Sequence, residues 1–191
     1  MAVQSNLKNM VLCLTCVCFG CAAVLGGVYA VTKAPIDETN AKLLKEAVGA
    51  VLPEGGELSG AMELTVGGLP SEYYTLPADG QTVAYAVKST TVGFGGPLTL
   101  MVGITADGVV YNTSVLSHTE TPGLGAKCTS DEHFMNQWKG FDPSQKILKV
   151  KSQQGDVDAI TASTITSKAY TLAVENAVNA VKSITEEVNN D

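Results

Sequence analysis

Two short segments hold the residue types that could do chemistry. The first is Ser117-His118-Thr119-Glu120-Thr121-Pro122-Gly123-Leu124-Gly125. Two glycines and a proline make a fixed turn whose backbone N–H groups can face a ligand, and Glu120 and Thr121 add side chains able to hydrogen-bond a polar heterocycle. The second is Asp158-Ala159-Ile160-Thr161-Ala162-Ser163-Thr164-Ile165-Thr166-Ser167. Small and hydroxyl-bearing residues there run into a long helical pattern. Free N–H donors and the positive end of a helix dipole converge at such a place, which suits an anion. Taken singly, each segment also has a plain reading, as a connecting loop and as a Ser/Thr N-cap.

The elements flanking these segments form a mixed pattern. Pro35 to Leu52 has a helical apolar stripe (Ile36, Leu43, Ala47, Val48, Val51) with Asp37 and Glu38 at its start, and Pro53-Glu54-Gly55-Gly56 ends it. A β-rich stretch follows. Gln81–Thr91 alternates with period two, Leu98–Thr105 is apolar on both faces, and Asp107-Gly108 turns the chain into Val109–Ser117. Thr129-Ser130-Asp131-Glu132 opens a short helix through Trp138. Ile147–Lys151 reads as a short strand. From about Thr166 to Val188, Tyr170, Val174, Ala177, Val181, Ile184 and Val188 recur every three to four residues. Helix, antiparallel strands and helix predict an α+β domain.

The composition is too apolar for that domain alone. Of 191 residues, 45% are hydrophobic and only 16% charged, and mean hydropathy is +0.16. The excess sits at Met10 to Val31, a run without a charge. As a helix it reaches about 33 Å, enough for a ~30 Å hydrocarbon core. A signal peptide's apolar region is shorter, about 7–15 residues, and no A-x-A site ends this run. The expected organisation is therefore residues 1–9 as a cytoplasmic N-terminus, 10–31 as a single transmembrane helix and 32–191 as the folded domain. Lys8 before the span and Lys33 after it give only a slight preference for that orientation. Cys13, Cys16, Cys18 and Cys21 spread over roughly 200° of the helix, so they cannot converge on one ion. Net charge is −7 and all twelve basic residues are lysine. With no arginine fork, nucleic acid is an improbable partner.

Together the two segments resemble the covalent FMN-binding domain family, and within it the G subunit of the Rnf ion-translocating ferredoxin:NAD oxidoreductase complex. The resemblance rests on Thr32 to Ile36 after the anchor, Gly93 to Gly96, the E-T-P-G-L-G string at Glu120 to Gly125, and Asp158 to Thr164. It implies an electron-transfer subunit that carries FMN and cannot act alone. A flavin transferase would join the FMN to Thr164 as a phosphoester. Glu120, Thr121, Gly123, Leu124, Gly125, Thr161, Ser163 and Thr166 would be its neighbours. His118 and Lys168 stay open between a cofactor role and a surface one. The implied partners are the membrane flavoprotein D subunit and the A and E membrane subunits, with the domain on the extracytoplasmic side of the cell membrane and sodium or proton movement as the coupled process. The related C subunit of sodium-translocating NADH:quinone reductase, or a stand-alone electron relay, is the alternative complex. A tethered interaction module without flavin is the alternative function. Two departures stand out: Ala162 where glycine is usual in the motif, and Ser163 where alanine is usual. An added Cβ at 162 restricts the turn if that residue needs positive φ, and Ser163 adds a competing hydroxyl.

Overall fold

A computed structural model describes residues 7–53, 58–78 and 81–188. The first helix, α1, runs unbroken from Leu7 to Val51 and includes Pro35. The helix therefore does not restart at Pro35, as the proline's preference for a first turn suggests. Thr32 and Thr39 back-bond to the carbonyls of Val28 and Pro35 at 2.8 and 2.7 Å. The most apolar stretch of α1 has a mean hydropathy of 2.4 and none of it is buried, so this helix is long and apolar enough to cross a membrane. By contact density the chain divides into residues 1–43 and 44–191.

The second unit is built on a five-stranded antiparallel meander: β1 Met62–Val66, β2 Leu69–Ala78, β3 Gln81–Val92, β4 Pro97–Thr105 and β5 Val110–His118, in spatial order 1-2-3-4-5. Strands β3 to β5 fall where the sequence places them, with the doubly apolar β4 between two partners inside the sheet. The β1–β2 hairpin was hidden by Pro70 and Pro77. Pro70 lies at the start of its strand and Pro77 at a register shift, two places where a missing N–H is tolerated. Ile147–Lys151 is not a strand. It is irregular chain with one bridge, Val150 to Val157, leading into a 3-10 turn at Lys151–Gln153.

One face of the sheet presents Tyr85, Val87, Leu98, Leu100, Val102 and Ile104 to Ala173, Val174, Ala177 and Val181 of α3, Thr164–Val188. An aromatic cluster extends this layer. Trp138 stacks on Tyr170 with centroids 5.3 Å apart, and Phe134 meets both rings edge-on. Phe134 is held by the short helix α2, Glu132–Asn136, whose N-cap Asp131 accepts the Phe134 N–H at 3.1 Å. On the other face Ala84, Ala86 and Met101 pack against Ala47, Val48 and Val51 at the end of α1. Gly103 makes this approach possible. A Cβ there would lie 1.6 Å from the Val51 carbonyl oxygen. Each large aliphatic side chain buried this way contributes about 1.5–3 kcal/mol, and that packing offsets the local costs found at the site.

Candidate functional site

Three connections meet at one end of α3: the β3–β4 turn at 93–96, the loop 119–125 after β5, and the segment 158–163 that leads into the helix. They enclose a cleft of about 360 Å³ lined by Phe94, Glu120, Thr121, Leu124, Gly125 and residues 162–166. Phe94, Leu124 and Ile165 are 69%, 45% and 54% exposed, so its rim is apolar and open.

Segment 158–163 is pinned at both ends. Asp158 binds Lys151 at 2.7 Å and faces His133 at 3.7 Å. The hydrogen bond from Lys151 holds its carboxyl below the usual carboxylate range. The Asp158 N–H donates to Gln137 Oε1 at 2.8 Å, and Gln137 Nε2 donates back to the Asp158 carbonyl at 3.1 Å. At the far end Ser167 Oγ accepts from the Ile160 N–H at 2.9 Å and donates to the Ser163 carbonyl at 3.0 Å. Between these anchors Ala162 adopts φ 62°, so the turn does need the left-handed conformation that glycine supplies at no steric cost.

Helix α3 starts two residues earlier than its apolar pattern suggests, which makes Thr164 its first residue and Ser163 the cap position. The Ser163 carbonyl accepts the Ser167 N–H at 3.0 Å and closes the first turn. Its hydroxyl caps nothing: Ser163 Oγ is buried without a hydrogen-bond partner, which leaves the first-turn N–H groups without a side-chain cap. Thr164 is exposed beside the cleft, whereas Ser163 is only 7% exposed.

Glu120 forms the back wall. It is 5% exposed, and its two oxygens accept from Thr166 Oγ1 at 2.8 Å and from the Gly95 N–H at 3.4 Å. Added Cβ atoms at Gly93 and Gly125 would lie 1.9 and 2.4 Å from those oxygens. Glycine at both positions is thus the space the carboxylate fills. His118 Nδ1 accepts the Glu120 N–H at 3.2 Å, so this ring shapes the loop and does not face the cleft through that nitrogen. Behind the acid, burial and the Glu120 charge push the Cys128 thiol up to about 11.

The cleft thus gathers Glu120, Thr121, Leu124, Gly125, Ser163, Thr164 and Thr166. Gly123 and Thr161 do not line it. Gly123 sits at φ 76° and shapes the loop, and Thr161 is exposed in the turn before the cap. Lys168 is exposed on α3 and does not line it either. Phe94 and Ile165 were missed as site residues. The available signal was a large apolar side chain isolated among glycines or hydroxyls, where no core pattern requires it.

An apolar slot of this size, with a free hydroxyl and uncapped helix N–H groups at one end, suits a flat heteroaromatic group bearing a phosphate. Residues 93–179 match the FMN-binding domain family, and this span contains every cleft residue. Over that segment the class is that of FMN-binding domains. The chain is 31% identical to the G subunit of the proton-translocating ferredoxin:NAD(+) oxidoreductase complex of Clostridium ljungdahlii, over 95% of each chain. It is 30% identical to the G subunit of the Na(+)-translocating ferredoxin:NAD(+) oxidoreductase complex of Acetobacterium woodii, over 82% of each. Among solved structures, the C subunit of the Na(+)-translocating NADH-quinone reductase from Parabacteroides distasonis aligns with a TM-score of 0.45 at 26% identity, covering 59% of this chain and 62% of that one. The chain belongs to the family of G subunits of ion-translocating ferredoxin:NAD oxidoreductase complexes.

Proposed function

We propose that this chain is a membrane-anchored electron-transfer subunit of an Rnf-type complex and that it holds FMN as a phosphoester on Thr164. The observation that carries the reading is the contrast between two neighbouring hydroxyls. Thr164 is exposed at the first residue of α3, at the mouth of the cleft, while Ser163 Oγ is buried. A threonine hydroxyl is a poor nucleophile, so attachment needs a flavin transferase and an accessible acceptor.

Bound FMN supplies redox chemistry that the twenty side chains lack. The protein's part is placement. Thr164 tethers the phosphate where first-turn N–H groups and the α3 dipole stabilise its charge. Phe94, Leu124 and Ile165 at the rim would offer apolar surface to the FMN ring. Glu120 fixes the loop through Gly95 and Thr166. Residues 1–9, 10–31 and 32–191 then serve as a cytoplasmic end, a membrane span and an extracytoplasmic carrier. The tether and the anchor keep the cofactor near the D subunit and the A and E membrane subunits. The coupled ion is a proton or sodium. One named relative is proton-translocating and the other Na(+)-translocating.

The test is in-gel fluorescence under ultraviolet light after co-expression with the transferase. The wild type and Ser163→Ala should each give a band that survives denaturation, and Thr164→Val should give none. A dark wild type, or a fluorescent Thr164→Val, contradicts the proposal.

A further inference from the structure

Glu120 has a feature that attachment of a cofactor does not require. It is a carboxylate, 5% exposed, in the wall of an apolar cleft. No lysine or histidine pairs with it among the described residues. Both of its oxygens are turned to protein donors, the Thr166 hydroxyl at 2.8 Å and the Gly95 N–H at 3.4 Å. Glycines at 93 and 125 leave the space it occupies. A neutral glutamine fits the same space and satisfies the same two contacts. Its carbonyl takes the Gly95 N–H, and its amide donates to Thr166 Oγ1 once that hydroxyl turns. The local hydrogen bonding therefore does not explain why the group is an acid.

We infer that Glu120 is a potential-setting residue: its buried negative charge makes the redox group in the cleft harder to reduce, without touching that group through a hydrogen bond. The inference rests on the flavin reading above. Adding an electron to a cofactor beside a fixed negative charge is opposed by Coulomb repulsion, and an apolar, water-poor wall screens this weakly. For a unit charge within roughly 8 Å at an effective dielectric of ~20, the equilibrium changes by about tenfold or more. Glu120 is a positioning residue for the loop and also an electrostatic one for the site. The two roles separate because glutamine preserves the first and removes the second.

The experiment is a dithionite titration of the full-length flavinylated chain in detergent, followed by flavin absorbance against indicator dyes. Glu120→Gln should show a reduced-to-oxidised ratio at least tenfold higher at fixed ambient potential, about 59 mV for one electron. Glu120→Asp keeps the charge and should stay within threefold of the wild type. A Glu120→Gln chain that titrates with the wild type overturns the inference, as does a Glu120→Asp chain displaced as far as Glu120→Gln. A Glu120→Gln chain that no longer acquires flavin also overturns it, because the acid then serves attachment. A wild type without flavin refutes the proposed function instead.

Discussion

Ala162 offers a sharp test of the attachment turn. At φ 62° it occupies the left-handed region, which costs an L-residue about 1–2 kcal/mol. Glycine removes that cost but gives back part of the gain, about 0.4–1 kcal/mol, through the greater freedom of the unfolded chain. Ala162 is exposed, so deleting its methyl loses little packing. The net expectation for Ala162→Gly is stabilisation by about 0.5–1 kcal/mol. For a chain of this length that raises Tm by about 1–4 °C. Trp138 is the one tryptophan and is fully buried, so its fluorescence reports melting of the folded unit in the detergent-solubilised chain. A Tm unchanged or lowered would mean that residue 162 is not held left-handed and that the geometry assigned to the turn is wrong.

Two further predictions concern ionisable groups around the site. Asp158 has a carboxyl held below its ordinary value, chiefly by the hydrogen bond from Lys151. Its stabilising contribution is therefore complete above the unfolded value of about 3.9 and is lost as pH falls through the lower folded value. Its side chain is 40% exposed, so Asp158→Asn should cost under about 1 kcal/mol at pH 7. The gap between the two melting curves should narrow as pH falls below the unfolded carboxylate range, and a gap that persists at full protonation would refute the charge assignment. Cys128 is fully buried with its thiol pushed up to about 11. In peptide mapping after iodoacetamide at about pH 8, its peptide should stay unmodified in the native chain and become alkylated in denaturant. Equal labelling in both states would contradict the burial.

The parts of the fold legible in the sequence were those with strong periodicity. Gln81–Thr91 alternates, Leu98–Thr105 is apolar on both faces as a strand inside the sheet must be, and α3 repeats its apolar face from about Thr166. The β1–β2 hairpin was not, because its prolines sit at the permitted exceptions of an edge hairpin. The Ile147–Lys151 segment has strand-like composition but gains only one bridge, since the chain turns at Lys151 before a second can form. Within the site, Glu120 stood out by residue type, and Thr164 was singled out among the neighbouring hydroxyls by the family motif it matches. The orientation of Glu120 toward Gly95 and Thr166 did not, because it depends on three loops that meet only in the folded chain. The positive φ at Ala162 was anticipated conditionally, from an alanine standing where the motif has glycine. The burial that separates Ser163 from Thr164 depends on where α3 begins, and a pattern of apolar residues locates that start only to within a turn.

Intact-mass spectrometry of the matured chain, followed by fragmentation of the peptide spanning Asp158 to Lys168, tests the central claim most directly. The account predicts a mass above the bare polypeptide by that of FMN less one water, carried by Thr164. An unmodified chain from cells that contain the transferase, or the added mass on Thr161 or Ser163, would contradict it.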